Sequence, residues 1–436
     1  MSVIGLDIGT TTLSAVLLDE QTRALLARRT IPHRAFLPSE PHEKIQDAEK
    51  IAALSLEIID SLRSEYSPVS AIGLTGQMHG VVYVNAEGRA VSPLYTWQDG
   101  CGNLPLPDGR RFADALSEET SYPLASGYGS VTHTYLLRNG LLPENAVKFT
   151  TIHGYLGMLL TGRKQPLLHA SDAASLGLFD LHSGEFDRAA TRKVGAEYFP
   201  EVVRTACIMG ETSFGEKVIT GIGDNQASFF GAMGEEKSAV LVNIGTGSQV
   251  SVRTDRLLTC PGCETRPLDG SEYLLVGAPL CGGRAYAILE KFLRECAELS
   301  GVQAASLYEK MNELAMDAPA NPLEISTAFA GTRAQPDERG SIHNLGESHF
   351  TPAHLIHGTL TGMAKELYEY YAAMAQATGN PTGKMIASGN AVRMNPALQK
   401  ILSEIFSLPL TMPACEEEAA TGAARLAGKI CGLCIK

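Results

Sequence analysis

The chain repeats itself. The phrase Asp7-Ile8-Gly9-Thr10-Thr11-Thr12 returns as Asn243-Ile244-Gly245-Thr246-Gly247-Ser248. Each copy follows an apolar stretch and precedes an alternating one, residues 13–18 in the first case and 249–253 in the second, which is the period of a half-buried strand. A second echo pairs Thr75-Gly76-Gln77 with Ser388-Gly389-Asn390, again after apolar strands. Both halves therefore read as meander, helices, strand and small-residue loop. A chain of 436 residues is too long for one ordinary core. The repetition says how it divides: two similar α/β domains facing across an inter-domain cleft, expected over 1–216 and 217–436.

Each Gly-Thr turn is a candidate phosphate cradle. Backbone N–H groups and hydroxyls in such a turn can hold phosphate oxygens, and Asp7 can hold a magnesium ion through water. An ordinary hairpin with Thr-rich edges is the plainer reading. Two such turns on opposed domains suit a nucleoside triphosphate whose chain crosses the gap.

Other residues stand where ligands are bound. Gln77 and His79 follow a short buried strand over 69–74, and open α/β sheets bind ligands at the carboxyl ends of their strands; His79 could equally cap a turn. Trp97, the single Trp, stands two residues from Asp99. A ring that packs on C–H faces beside a carboxylate that accepts hydroxyl protons suits a sugar, although a lone Trp more often fills a core. Asp224 lies in the Gly-rich turn Gly221-Ile222-Gly223 ahead of a small-residue helix, as a general base or as a helix N-cap. Gly282-Gly283 lets a flat ring or a phosphate approach a helix over 285–299, or makes a tight helix–strand contact. Residues 419–427 form a small-residue helix able to pack closely on a sheet, and Ser171-Asp172-Ala173-Ala174-Ser175 reads as a turn.

Composition excludes several classes. A net charge of −12 opposes general binding to nucleic acid or anionic membrane. No apolar run is long enough to cross a bilayer. The N-terminus meets Asp7 with no basic region and apolar stretch, so no signal peptide is expected and the cytoplasm is the expected compartment. The nine cysteines are expected as reduced thiols. Cys260/Cys263 and Cys431/Cys434 have Cys-x-x-Cys spacing, but their separation exceeds that of compact zinc modules, so two unrelated pairs are expected.

The phrases together resemble the FGGY carbohydrate kinases of the actin-like ATPase superfamily. The resemblance covers essentially the whole chain. It rests on Asp7-x-Gly9-Thr10-Thr11-Thr12, Gly76-Gln77-Met78-His79-Gly80, Gly223-Asp224-x-Gln226, Asn243-Ile244-Gly245-Thr246-Gly247, the stretch from Gly277 to Gly283, Gly331-Thr332-Arg333, Ser388-Gly389-Asn390-Ala391 and Ala420-Thr421-Gly422-Ala423. It implies two duplicated actin-like (ribonuclease H-like) domains and ATP-dependent phosphorylation of the terminal primary hydroxyl of a ketose. Asp224 is then the base. Thr10, Thr11, Gly245 and Thr246 cradle phosphates, and Gly283, Gly389 and Asn390 line the adenosine site. Gln77, Met78, His79, Trp97, Asp99 and Asn225 hold the sugar, and Asp7 holds Mg2+.

Within the family, Gly-Gln-Met-His-Gly-Val-Val, Thr-Trp-Gln-Asp-Gly, Thr151-Ile152-His153 and the Ser171 phrase are most similar to sedoheptulokinases. Sedoheptulose is the expected acceptor, with xylulose or another ketose or polyol as the alternative. An actin- or Hsp70-like ATPase without sugar kinase activity, and a catalytically silent sugar binder, are the readings from other classes. Three features depart from the family pattern. Cys101 stands where an Arg is usual, the adenine loop is Gly389-Asn390 rather than two glycines, and the chain is shorter than many relatives. The expected partners are a sugar and ATP; the oligomeric state is left open, a homodimer included.

Overall fold

In a computed structural model of the chain, the Asp7 phrase is the turn between two antiparallel strands, Ser2–Ile8 and Thr12–Asp19. The structure describes residues 1–234, 236–303, 305–316, 322–332, 335, 337–379, 382–413 and 416–433. Arg333 and Cys434, both singled out in the sequence, lie outside the described residues.

The chain forms two compact units. Unit 1 comprises Met1–Glu235, Pro267–Glu272 and Cys415–Lys436, and unit 2 comprises Glu236–Arg266 and Tyr273–Ala414. The sequence expectation divides the chain at 216/217. The contact-defined units divide it at 235/236, and two later segments belong to unit 1.

In unit 1, Leu25–Pro32 pairs with Thr12–Asp19, which pairs with Ser2–Ile8. Ser2–Ile8 also pairs in parallel with Val69–Gly76, and that strand pairs with Lys217–Ile219. Unit 2 repeats this order. Glu272–Gly277 pairs with Ser248–Thr254, which pairs with Ala239–Ile244; the last is parallel to Lys384–Ser388, which is parallel to Leu410–Thr411. The five strands named in each sheet thus follow one order, with further strands at the edges, so the duplication read from two short phrases is a duplication of topology. The equivalent registers agree in detail: Asp7 lies opposite Thr75, and Asn243 lies opposite Ser388.

Each sheet has its own core. In unit 1, Ile4, Leu6, Ile8, Leu13 and Leu17 are buried with Ile51, Ile59 and Leu62 of the helix Ala48–Tyr66. In unit 2, Val240, Val242 and Val250 are buried with Ile356, Leu360 and Leu367 of the helix Pro352–Thr378. Complete burial of a side chain of this size contributes roughly 1.5–3 kcal/mol.

The small-residue C-terminal helix, Glu418–Ile430, packs on the sheet of unit 1. It lies so close that a Cβ at Gly5 would stand 1.9 Å from Ala420 O, and one at Gly73 would stand 2.0 Å from Ala423 O. The helix Asp224–Met233 packs against the same helix, where Ala227 and Ala424 share a core. The sequence shows that this segment can pack closely, but not that the chain returns to its first sheet to do so.

One expectation is corrected. Ser171-Asp172-Ala173-Ala174-Ser175 is not a turn but most of the helix Ala170–Leu176, capped at its start by the His169 side chain, which accepts from Ser171 N. Small polar residues read as turn formers because they bond to nearby backbone; here burial in a small-residue contact favours the helix. Residues 187–210 hold the short helix Arg188–Arg192 and the 3-10 turn Ala196–Tyr198, followed by the strands Glu201–Val203 and Ile208–Glu211. Among the described residues no helix is long and apolar enough to cross a membrane.

Candidate active site

Three strand ends lie side by side in unit 1, because Ile8 and Gly223 both pair with Gly76. This single register gathers much of the candidate chemistry. Asp7 precedes the first end, Gln77-Met78-His79 follows the second, and Asp224 follows the third. The Met78 thioether closes against the third end, where a Cβ on Gly223 would meet Met78 Sδ at 2.6 Å.

Asp224 is the first residue of its helix, and the cap position belongs to Gly223, which has no side chain to offer. The carboxylate therefore sits one residue inside the cap, where the helix N-terminus favours negative charge. Burial first, and then the charge of Asp224, push the Asp7 carboxyl up to about 7, against the pull of His153. Asp7 Oδ1 and Thr75 Oγ1, facing in register, are both buried and have no protein partner. A buried carboxylate oxygen without a donor is costly unless a cation or water completes it. Among the described residues no group of three or more His, Cys, Asp or Glu is placed to hold a metal. A cation beside Asp7 would then take one carboxylate and complete its shell with water and phosphate, which is how magnesium is usually held.

A buried pair beside these groups carries no role in the sequence reading. His153, in the helix Ile152–Thr161, meets Asp172 Oδ2 through Nε2 at 3.0 Å. Burial opposes its charge, but Asp172, Asp224 and Asp7 together hold its pKa above the usual value. The only sequence signal was the wording of two phrases, Thr-Ile-His and Ser-Asp-Ala-Ala-Ser, used for subfamily resemblance.

The first Gly-Thr turn is built to present donors. His33 N–H donates to Thr11 O, and Gln46 Nε2 donates to Thr10 O at 2.7 Å. His33 Nδ1 accepts from Ala35 N, so the ring proton sits on Nε2 and is donated to Gly9 O. With these carbonyls engaged, and Gly9 N–H bonded to Thr12 O, the turn offers a ligand the N–H groups and hydroxyls of Thr10 and Thr11. Gln46, which the sequence did not single out, also accepts from Gln77 Nε2 at 3.0 Å. Gln77 keeps its unpartnered Oε1 and the second proton of its Nε2 for other use.

His79 has φ of +69°, a left-handed backbone unusual for a residue with a side chain. It is held there by Ser175, whose Oγ accepts from His79 N and whose carbonyl accepts from Nδ1 at 2.6 Å, and by stacking on Tyr128 at 4.9 Å. Trp97 is 46% exposed, so it does not fill the core; its indole N–H donates to Thr10 Oγ1 at 2.9 Å. Asp99 is buried, and its Oδ1 accepts from Cys101 N. Cys101, at the departure from the family pattern, is buried beside Thr132. Asn225 is half-buried on the Asp224 helix.

In unit 2 four of the five nucleotide candidates converge on one cavity of about 480 Å³. Gly245, Thr246, Gly283 and Asn390 all line it, with Tyr286, Asn312, Leu360, Met363 and Leu398 among the other walls. Gly283 is required by close approach, since a Cβ there would stand 1.9 Å from Gly245 O. Gly389 does not line the cavity. It turns the chain under the Gly-Thr hairpin with φ of +91°, and a Cβ on it would meet Ile244 O at 2.4 Å. Tyr286 OH donates to Asn312 Oδ1 at 2.9 Å, and Asn312 Nδ2 donates to Met394 O. Apolar walls with a few fixed polar groups suit a flat heteroaromatic ring. The sequence missed Tyr286 and Asn312 because both lie in ordinary amphipathic helices. Cys260 and Cys263 are also in unit 2, with Sγ atoms 3.1 Å apart.

Comparison with known proteins agrees over the whole chain. Models of the FGGY family of carbohydrate kinases match residues 2–241 (N-terminal domain) and 240–430 (C-terminal domain). The chain is 28% identical to sedoheptulokinase from Mus musculus, covering 97% of this chain and 96% of that protein. It is also 28% identical to glycerol kinase from Trichlorobacter lovleyi, covering 99% and 90%. The crystal structure of xylulose kinase from Rhodospirillum rubrum shares the fold with a TM-score of 0.84 at 22% identity, covering 99% of this chain and 90% of that one. With both domain models matched in order, the chain belongs to the FGGY family of carbohydrate kinases and is a phosphotransferase acting on sugars.

Proposed function

We propose that the protein transfers the γ-phosphoryl group of ATP to the terminal primary hydroxyl of a ketose, with Asp224 as general base. The sugar hydroxyl gives its proton to the Asp224 carboxylate, its oxygen bonds to the γ-phosphorus, and the bond from that phosphorus to the ADP oxygen breaks. Positioning and charge stabilisation supply most of the rate in such transfers. Thr10, Thr11, Gly245 and Thr246 hold phosphate oxygens. The unit 2 cavity takes the adenosine, with Gly283 and Asn390 at its wall and Gly389 shaping the loop beneath. Gln77, Met78, His79, Trp97, Asp99 and Asn225 hold the sugar. Asp7 holds Mg2+, which when bound neutralises phosphate charge.

The observation that carries this reading is the register that pairs both Ile8 and Gly223 with Gly76, so that Asp7 and Asp224 stand at neighbouring strand ends. Asp224 is the second cause, after burial, of the raised Asp7 pKa. Two carboxylates in reach of each other, one for a cation and one for a proton, match the needs of phosphoryl transfer to an alcohol.

We propose sedoheptulose as the acceptor, giving sedoheptulose 7-phosphate. The supporting facts are the two sedoheptulokinases, from mouse and human, each 28% identical over 97% of this chain, and the wording around Met78-His79 and Trp97. A glycerol kinase at the same identity makes glycerol the acceptor to set against it. The test is a coupled ADP-release assay across heptuloses, pentuloses and polyols. Sedoheptulose should give the highest kcat/KM. A higher value for xylulose, ribulose or glycerol overturns the acceptor, and turnover indifferent to every sugar overturns the kinase reading.

A further inference from the structure

The two hydrogen bonds that converge on Thr10 make it the point where the sugar elements meet the phosphate turn. Its hydroxyl accepts from Trp97 Nε1 at 2.9 Å. Its carbonyl accepts from Gln46 Nε2 at 2.7 Å, and Gln46 Oε1 accepts in turn from Gln77 Nε2 at 3.0 Å. Gln77 is also pinned to the strand end, its N–H donating to Ile8 O at 2.8 Å. Both stretches assigned to the sugar, the Gln77 loop and Trp97, therefore reach one residue of the turn assigned to phosphate.

The chemistry of these bonds has a direction. An indole N–H is a donor and nothing else, so Thr10 Oγ1 must be the acceptor. Its own proton is then left to be donated outward. A phosphate oxygen is an acceptor, and a donor hydroxyl already polarised by an N–H bonds to it more strongly than one without that support. The amide of Gln46, completely buried, spans the gap between Thr10 and Gln77 with one donor and one acceptor, and so fixes where the turn sits relative to the strand end.

We propose that Trp97 and Gln46 are positioning residues that act through Thr10, coupling occupancy of the sugar elements to occupancy of the phosphate turn. The inference rests on the kinase reading above and adds to it a route within unit 1. A phosphate held by the Thr10 hydroxyl strengthens the Trp97 bond and fixes the indole; a sugar packed on the indole fixes the hydroxyl for phosphate. Coupling of this kind is reciprocal: each ligand tightens the other by the same factor.

Trp97 is the single Trp of the chain, so its emission reports its own surroundings. The probe is Mg2+ with the β,γ-imido analogue of ATP, added to the full chain without sugar, and adenosine is the control that carries no phosphate. Wild type should change its Trp97 emission with the imido analogue and not with adenosine. Thr10→Val should bind the analogue more weakly by calorimetry and, at saturating analogue, lose the emission change, and Thr10→Ser should restore it.

Trp97→Phe keeps a ring for the sugar and removes the N–H. In this variant, and in Gln46→Met, the factor by which the analogue tightens sedoheptulose should fall about 5-fold or more toward unity. Trp97 is exposed, so its replacement does not threaten the core.

An emission change that survives in Thr10→Val, or a coupling factor unchanged in Trp97→Phe, overturns the inference while leaving the kinase reading in place. Absence of analogue binding to wild type overturns both.

Discussion

Asn243 donates through Nδ2 to Ser388 Oγ at 2.7 Å, across the same parallel register that sets Asp7 beside Thr75. In unit 2 the pair is closed on itself. In unit 1 a carboxylate replaces the amide, and both Asp7 Oδ1 and Thr75 Oγ1 are left without protein partners. An amide can satisfy a neighbouring hydroxyl and end the matter, whereas a buried carboxylate calls for a cation or water. The duplicated fold thus has one sealed copy and one open copy of the same position.

Asp7→Asn should convert the open copy into the sealed kind. Turnover is expected to fall on the order of 10²-fold, the usual cost of losing one electrostatic stabiliser of a transition state. The rise in Tm on adding magnesium, which reports binding to the folded state, should vanish as well. Thermal scans with and without magnesium, beside ADP-release rates, measure both. A variant with the wild-type magnesium response removes Asp7 from the metal site.

Gly283→Ala places a methyl group where Gly245 O stands 1.9 Å away. The backbone at the mouth of the unit 2 cavity must shift to admit it. Nucleotide affinity should drop about 10-fold or more, with a stability loss of roughly 1–3 kcal/mol as for other overpacked contacts. Calorimetry with ADP and a denaturation midpoint read the two effects. Unchanged affinity would show that this wall does not touch the nucleotide.

His133 supplies a pH dependence separate from the site. Burial holds its pKa down to about 4, and its Nδ1 shares a hydrogen bond with Tyr83 OH at 2.8 Å. The folded state thus binds this proton less readily than the unfolded chain, whose His titrates near 6.5. Stability from this group is complete above about 6.5 and is lost as pH falls toward 4, a span worth on the order of 3 kcal/mol. His133→Gln should flatten that part of the stability profile between pH 6.5 and 4. A variant profile as steep as wild type would assign the acid sensitivity elsewhere.

The two-fold architecture was legible because a Gly-Thr turn between strands leaves a local signature, and finding it twice fixes both sheets. The residues of the turns and of the Gln77-Met78-His79 loop were legible for the same reason. His153 and Asp172 were not, because a buried polar pair looks locally like helix start or turn. Gln46 was invisible: its importance lies in two bonds to residues distant in the chain, and nothing in its neighbourhood marks it. The return of the helix Glu418–Ile430 to unit 1 is likewise a long-range fact that small residues permit but do not declare.

The central claim is that Asp224 takes the proton of the acceptor hydroxyl, and replacing it by Asn tests this most directly. Asp224→Asn keeps the size of the side chain and removes its basicity. ADP should bind with near wild-type affinity, while the rate of sugar phosphorylation in a single turnover with saturating ATP should fall on the order of 10²-fold or more. Sugar phosphorylation by Asp224→Asn at close to the wild-type rate would contradict the account.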